Sequence, residues 1–297
     1  MNWIELSVAT DAEGAEAAAA LLNEFVSGGA VIEQTITPEP GETLNPARAY
    51  TVRAFFSSHA AEALEHAQNG LWHLAQLRAM GEPQVRELAE EDWAEAWKKH
   101  YTILRVGHHI VIKPSWLEYT AQAGDMVVEL DPGMAFGTGL HPTTRMCLIA
   151  LEEQVTQDQG VLDVGTGSGI LSIAAAKLGA REILALDLDP VAVETTAKNV
   201  AINHAENIVA VKRGSLDVTG EGNLFDLICI NILAEVISDL APALAAVLRP
   251  GGIVIASGIL DYKAGDVIEA LRAAGIEVVE RRQEEDWVAL VAKKEER

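Results

Sequence analysis

Asp163, Asp187 and Asn231 each stand at or near the end of a short apolar run, where a buried strand delivers a polar side chain to a ligand crevice. Between the first two lies Gly165-Thr-Gly-Ser-Gly169, with glycine at every second position, followed by a helical pattern over Ile170–Leu178. The order is strand, tight glycine turn, helix, strand, acid. Such a turn needs glycine because the backbone bends sharply and lies directly against a ligand, leaving no room for a Cβ. Asp187 comes 20 residues after Gly167 (187 − 167), where the diol of a ribose would lie. The implied ligand is a nucleotide-bearing cofactor.

Charge separates the possible cofactors. Dinucleotide folds space their glycines as G-x-G-x-x-G so that a pyrophosphate rests on the helix N-terminus. Here the spacing is Asp163-x-Gly165-x-Gly167-x-Gly169. A carboxylate at Asp163 repels a pyrophosphate and attracts a cationic amino-acid group. S-adenosylmethionine carries an ammonium, a sulfonium and no phosphate, so charge favours it. A nicotinamide-dependent oxidoreductase is the other enzyme class open to this turn. The tyrosine–lysine or histidine–acid arrangement that would support it is not found.

Two further segments should meet the turn at the strand ends. Phe136-Gly-Thr-Gly-Leu-His-Pro-Thr-Thr144 looks superficially like a phosphate loop, but no Gly-Lys-Ser/Thr follows, which excludes a nucleoside triphosphate. Pro142, Thr143 and Thr144 read as the start of a helix over Thr144–Glu153. Their hydroxyls cap that helix or serve a ligand, and spacing alone favours capping. The run Asp226–Ile230 ends in Asn231, which either initiates a turn or offers a carboxamide oxygen to an amine nucleophile, aiming its lone pair at a methyl group. His141 is the nearest base by sequence, and packing within its loop is the preferred role.

Regular alternation of patterns sets the frame for these residues. The first 90 residues read β-α-β-β-α-β, a ferredoxin-like order. From Gly160 onward strands and helices alternate, ending in an antiparallel hairpin over Glu277–Arg281 and Trp287–Val291. The fold class is α/β: a doubly wound, Rossmann-like domain with a small N-terminal α+β ferredoxin-like domain, and the terminal hairpin fits a class I methyltransferase better than a dehydrogenase. The expected division is 1–89 for the ferredoxin-like domain, 90–101 for a linker helix and 102–297 for the doubly wound domain. Trp93 and Trp97 share a face of the linker helix and read as packing the joint, with contact to a substrate as the other reading.

Composition narrows the partners. Of 297 residues, 49% are hydrophobic, yet no apolar run approaches the roughly 20 residues of a membrane span. The opening Asn2–Val8 alternates like a strand and lacks the regions of a signal peptide. Cys147 and Cys229 suit a reducing cytosol, and no metal site is read from them or from His108-His109. A cytoplasmic monomer is expected. The net charge is −22, with 16 acids and 6 bases in residues 1–100 and 28 and 16 in the remainder. Acidity in both halves argues against direct nucleic-acid binding and is compatible with steering toward a basic protein.

Asp131-Pro-Gly-Met-Ala-Phe-Gly-Thr-Gly-Leu-His-Pro-Thr-Thr144, Asp163-Val-Gly-Thr-Gly-Ser-Gly-Ile-Leu171, Ala185-Leu-Asp-Leu-Asp-Pro190 and Asn231-Ile-Leu-Ala234 together resemble the bacterial ribosomal-protein methyltransferases of the PrmA family. The loop ending in His-Pro-Thr-Thr is the specific part, since many methyltransferases share the glycine turn. The resemblance spans essentially the whole chain. It implies S-adenosylmethionine as donor, with Thr144, Gly165, Asp187 and Asn231 as its contacts. It implies large-subunit ribosomal protein eleven as partner, bound by the front domain, and lysine ε-amines and the N-terminal α-amine as acceptors. Related amide and amine methyltransferases carry Asn-Pro-Pro-Tyr/Phe where this chain has Asn231-Ile-Leu-Ala234. Without that aromatic, a flexible amine suits the site better than a planar amide or base. A ribosomal-protein binding factor without catalysis is the remaining alternative.

Overall fold

Alternation in the first strand, β1 (Trp3–Thr10), turns Leu6 and Val8 into the core and leaves Ser7 on the opposite face. It is followed by α1 (Ala12–Asn23), β2 (Val31–Gln34), β3 (Tyr50–Ser57), α2 (Ala61–Leu77) and β4 (Gln84–Leu88). The strands form one antiparallel sheet in the order β2-β3-β1-β4, the ferredoxin-like arrangement expected from the pattern. Asp11 caps α1 by accepting the Gly14 N–H at 2.8 Å, so the helix starts at Ala12. Ala15, Ala18 and Leu22 then pack on Val52, Ala54 and Phe56. The computed structural model describes residues 3–23, 25–26, 30–34, 50–57, 60–78, 80–88, 102–131, 137, 139–220, 222 and 224–296. The chain separates into two units, Met1–Tyr101 and Thr102–Arg297. The expected linker helix with Trp93 and Trp97 lies outside the described residues, as do 132–136 and Thr138 of the specific loop.

The second unit opens with β5 (Leu104–Val106), β6 (Ile110–Pro114) and β7 (Met126–Leu130), a small sheet in which β6 pairs antiparallel to β5 and parallel to β7. Next come α3 (Pro142–Gln154), β8 (Gly160–Val164), α4 (Ile170–Leu178), β9 (Glu182–Asp187), α5 (Pro190–Ile202), β10 (Val209–Arg213), β11 (Phe225–Asn231), α6 (Ala234–Val247), β12 (Leu248–Leu260), α7 (Ala264–Ala273), β13 (Ile276–Glu284) and β14 (Trp287–Lys294). Their sheet runs β10-β9-β8-β11-β12-β14-β13, parallel through β12, with β14 antiparallel to both its neighbours. This is the doubly wound sheet with terminal hairpin expected of a class I methyltransferase domain.

Both faces of the sheet are buried, which explains the near-continuous apolar strands. Val161, Cys229 and Ile255 face Leu148, Ile173 and Val200, while Leu162, Ile228 and Val254 face Ile237, Leu244 and Val267. The strand order reverses between β8 and β11, so a crevice opens beyond their carboxyl ends. One strand runs further than its apolar residues alone in a way that matters for the candidate site. β12 continues past Ser257 to Leu260, because Gly258, at φ +81°, absorbs an irregularity in the pairing with β14 between Ala256 and Ile259.

Candidate active site

The end of β8 turns through three glycines in the left-handed region, Gly165 (φ +76°), Gly167 (φ +58°) and Gly169 (φ +84°). At Gly165 a Cβ would overlap Ile232 Cγ2, and at Gly169 it would press on Thr196, so shape as well as φ demands glycine. The Gly165 and Thr166 N–H groups both donate to the Leu186 carbonyl, at 2.8 and 3.0 Å, and tie the turn to β9. Asp187, the last residue of β9, closes it: Oδ2 accepts the Gly167 N–H at 3.0 Å and Oδ1 the Asp189 N–H at 3.0 Å. The carboxylate is thereby fixed at the rim of the crevice with lone pairs to spare for a diol.

Asp163 lies beneath the turn and is 1% exposed. Its Oδ2 accepts hydrogen bonds from Thr166 Oγ1 at 2.8 Å and Ser172 Oγ at 2.6 Å, and Oδ1 has no partner among the described residues. Burial pushes the carboxyl up to about 6 despite the two hydroxyls, and repulsion from Asp187 adds to the rise. A cationic group reaching Asp163 would relieve both effects.

The helix start at α3 corrects one expectation. Pro142 occupies the first turn and the cap is His141, whose Nδ1 accepts the Thr143 N–H at 3.4 Å and lies 2.8 Å from Thr143 Oγ1. Thr144 therefore does not cap. Its hydroxyl is fully buried and has no hydrogen-bond partner among the described residues. His141 meets Trp287 edge-on, ring centroids 4.8 Å apart, and burial together with the nearby Arg145 charge lowers its imidazole to about 4. It is neutral at working pH, which fits the packing role.

Asn231 ends β11 opposite Ser257 of β12, and its Oδ1 is buried without a partner among the described residues. The chain leaves the sheet here. Ile232 donates its N–H to the Ser257 carbonyl at 3.2 Å, and its backbone lies so close to Gly258 that a Cβ there would overlap the Ile232 carbonyl. Glu235, next on the rim, is engaged by Lys263 at 3.0 Å.

Thr144 Oγ1, Asp163 Oδ1 and Asn231 Oδ1 are thus buried polar atoms left unmatched among the described residues, a costly state unless a ligand completes them. The charged groups at the described turn are the carboxylates Asp163 and Asp187. That set of acceptors fits a ligand with a cation and a ribose diol, such as S-adenosylmethionine, and not a pyrophosphate.

Comparison with known proteins carries the same signal over the whole chain. The family model described as "Ribosomal protein L11 methyltransferase (PrmA)" matches residues 2–295. The chain belongs to the ribosomal protein L11 methyltransferase family. The L11 methyltransferase of Chloroflexus aurantiacus is 46% identical, the match covering 98% of this chain and 97% of the relative. That of Herpetosiphon aurantiacus is 44% identical over 99% of each. The solved ribosomal protein L11 methylase from Lactobacillus delbrueckii subsp. bulgaricus superposes with a TM-score of 0.60 at 33% identity, covering 66% of this chain and all of that one. The oxidoreductase and non-catalytic readings find no support among these relatives.

Several residues of this L11 methyltransferase-family site escape a reading of the sequence. Asn199 of α5 is fully buried, donates Nδ2 to the Ser168 carbonyl at 2.8 Å and accepts the Asp131 N–H on Oδ1 at 2.8 Å. Thr196 Oγ1 donates to the Gly167 carbonyl at 2.9 Å. Trp287 is 3% exposed, packs on Met146 and Ala289, and leaves its indole Nε1 without a partner among the described residues. The available signal was periodic: Thr196, Asn199 and Asn203 recur at three and four residues on a helix face that should be apolar.

Proposed function

We propose that this chain transfers methyl groups from S-adenosylmethionine to amino groups of ribosomal protein L11, both lysine ε-amines and the N-terminal α-amine. The observation that carries the reading is the set of unmatched buried atoms, Thr144 Oγ1, Asp163 Oδ1 and Asn231 Oδ1, around the switch point of the sheet. Asp187 would hold the ribose, Gly165 and Gly167 would lie against the donor, Thr144 would donate or accept a hydrogen bond, and Asp163 would attract the ammonium. When bound, the donor supplies a methyl group on a sulfonium, ready for in-line displacement.

What the protein adds is position and dryness. The Asn231 oxygen accepts an amine N–H and so points the nitrogen lone pair along the line of transfer. A lysine must first lose its proton, at a cost on the order of 4 kcal/mol at pH 7.4, whereas an α-amine near 7.7–8 costs under about 1 kcal/mol. With its imidazole lowered to about 4, His141 is too weak a base to take the lysine proton, so the proton leaves to water before the amine enters. Residues 1–89 serve to recognise the ribosomal protein and 102–297 hold the chemistry, in a cytoplasmic monomer. The acidic surface steers the basic partner.

Intact-mass spectrometry of L11 incubated with this chain and S-adenosylmethionine tests the proposal. Gains in steps of one methyl, absent without donor and absent with Asn231→Ala, are expected. No gain from a chain that still binds S-adenosylhomocysteine would reject the acceptor.

A further inference from the structure

Asn199 joins two parts of the chain that sheet pairing leaves separate. Its Nδ2 holds the Ser168 carbonyl inside the glycine turn, and its Oδ1 holds the Asp131 N–H where β7 ends and the specific loop begins, both at 2.8 Å. Ser168 passes the connection on, donating Oγ to the Gly137 carbonyl at 2.6 Å. One helical turn later Asn203 makes a clasp of the same chemistry on β7 alone. It accepts the Glu129 N–H at 3.0 Å and donates to the Glu129 carbonyl at 2.6 Å and the Asn199 carbonyl at 2.8 Å. Two carboxamides of one helix therefore grip one strand, and only Asn199 is bonded to the turn.

We propose that Asn199 is a positioning residue that couples the glycine turn to the segment entering at Asp131, so that the affinity for the methyl donor depends on a side chain that does not touch it. The inference rests on the cofactor reading given above. The physical reason is that a carboxamide donates from one edge and accepts on the other, so one side chain can serve two backbone groups of opposite kind. Here they are the buried Ser168 carbonyl and the part-buried Asp131 N–H. If either bond is lost, the turn and the end of β7 at Asp131 are no longer tied to one side chain, and donor binding must restore their relation.

Asn203 supplies the control. Asn199→Asp and Asn203→Asp are isosteric, and each sets a carboxylate oxygen against a backbone carbonyl that had accepted an N–H. Calorimetric titration with S-adenosylhomocysteine, together with thermal melts of the ligand-free full chain, reads both. We expect N199D to weaken binding by about tenfold or more and N203D to stay within about twofold of the wild type, with comparable losses of melting temperature. In turnover, the N199D defect should appear in the KM for the donor, with kcat regained at saturation. Equal losses in the two variants, or N199D binding within about twofold of the wild type, overturn the proposal. If N199D does not fold, Asn199→Ala is read against Asn203→Ala by the same criteria. A wild-type chain that fails to bind the probe would overturn the cofactor reading itself, and this inference with it.

Discussion

Asp187 Oδ2 accepts the Gly167 amide N–H at 3.0 Å, so the acid that ends β9 is also the clasp of the glycine turn that ends β8. One carboxylate thus shapes the turn and, in the proposed function, also holds the ribose diol. Asp187→Ala removes two charge-assisted bonds from backbone N–H groups, each worth about 1.5–3 kcal/mol. Affinity for S-adenosylhomocysteine should fall by about 10²-fold or more in calorimetry. Asp187→Asn keeps an acceptor for Gly167 and should lose less. An alanine variant with wild-type affinity would remove Asp187 from the site.

The proposed transfer should have a characteristic pH profile. His141 is lowered to about 4 and Thr143 occupies its Nδ1, so the acceptor's own ionisation should govern the rate. With saturating donor, kcat/KM toward an L11 lysine should rise about tenfold per pH unit from 7 to 9. Toward the α-amine it should flatten above about pH 8. A plateau near neutral pH for the lysine would mean that the site supplies a base after all.

Much of the candidate site is legible in the sequence because its logic is local. The glycine spacing, Asp163 and Asp187 belong to one strand-turn-helix-strand unit, and Asn231 announces itself at the end of an apolar strand. Even the cap of α3 was available, since a proline at the first helical position puts the cap at residue 141. What escaped depends on register and packing. Gly258 carries no signal of its own in the sequence, and its purpose appears only when the Ile232 backbone is laid against it. Asn199 is one position in a helical pattern until the Ser168 carbonyl and Asp131 amide are brought to it from 31 and 68 residues away. Trp287 reads as a strand residue, and its contact with His141 joins β14 to the cap of α3.

Asp163 should give stability and affinity opposite dependences on pH. Its folded-state carboxyl, near 6, lies above the ordinary value of 3.8, so the folded protein holds a proton that the unfolded chain releases. The resulting contribution is fully present below pH 3.8 and is lost as pH rises through 6, a swing on the order of 3 kcal/mol. Asp163→Asn should therefore gain on the wild type in denaturant melts at pH 8 and lose that gain toward pH 4. A cationic donor prefers the ionised form, so wild-type affinity should weaken as pH falls below 6, while the asparagine variant binds weakly throughout with a flat profile. Parallel profiles for the two proteins would show that Asp163 does not titrate in this range.

Gly258 tests whether the site depends on the bulge in β12. At φ +81° a side chain is strained, and here a Cβ would also overlap the Ile232 carbonyl, which cannot retreat without moving Asn231. Gly258→Ala should cost about 2–5 kcal/mol, read as a lower urea midpoint with unchanged slope. Transfer should fall further than stability alone explains, because the displaced segment carries Asn231, the carboxamide proposed to aim the amine. Gly265 makes the contrast. It lies in the first turn of α7 with open space around it, and Gly265→Ala should be neutral or stabilise by up to about 1 kcal/mol with full activity. If Gly258→Ala keeps wild-type turnover per folded molecule, Asn231 is positioned independently of the β12 irregularity.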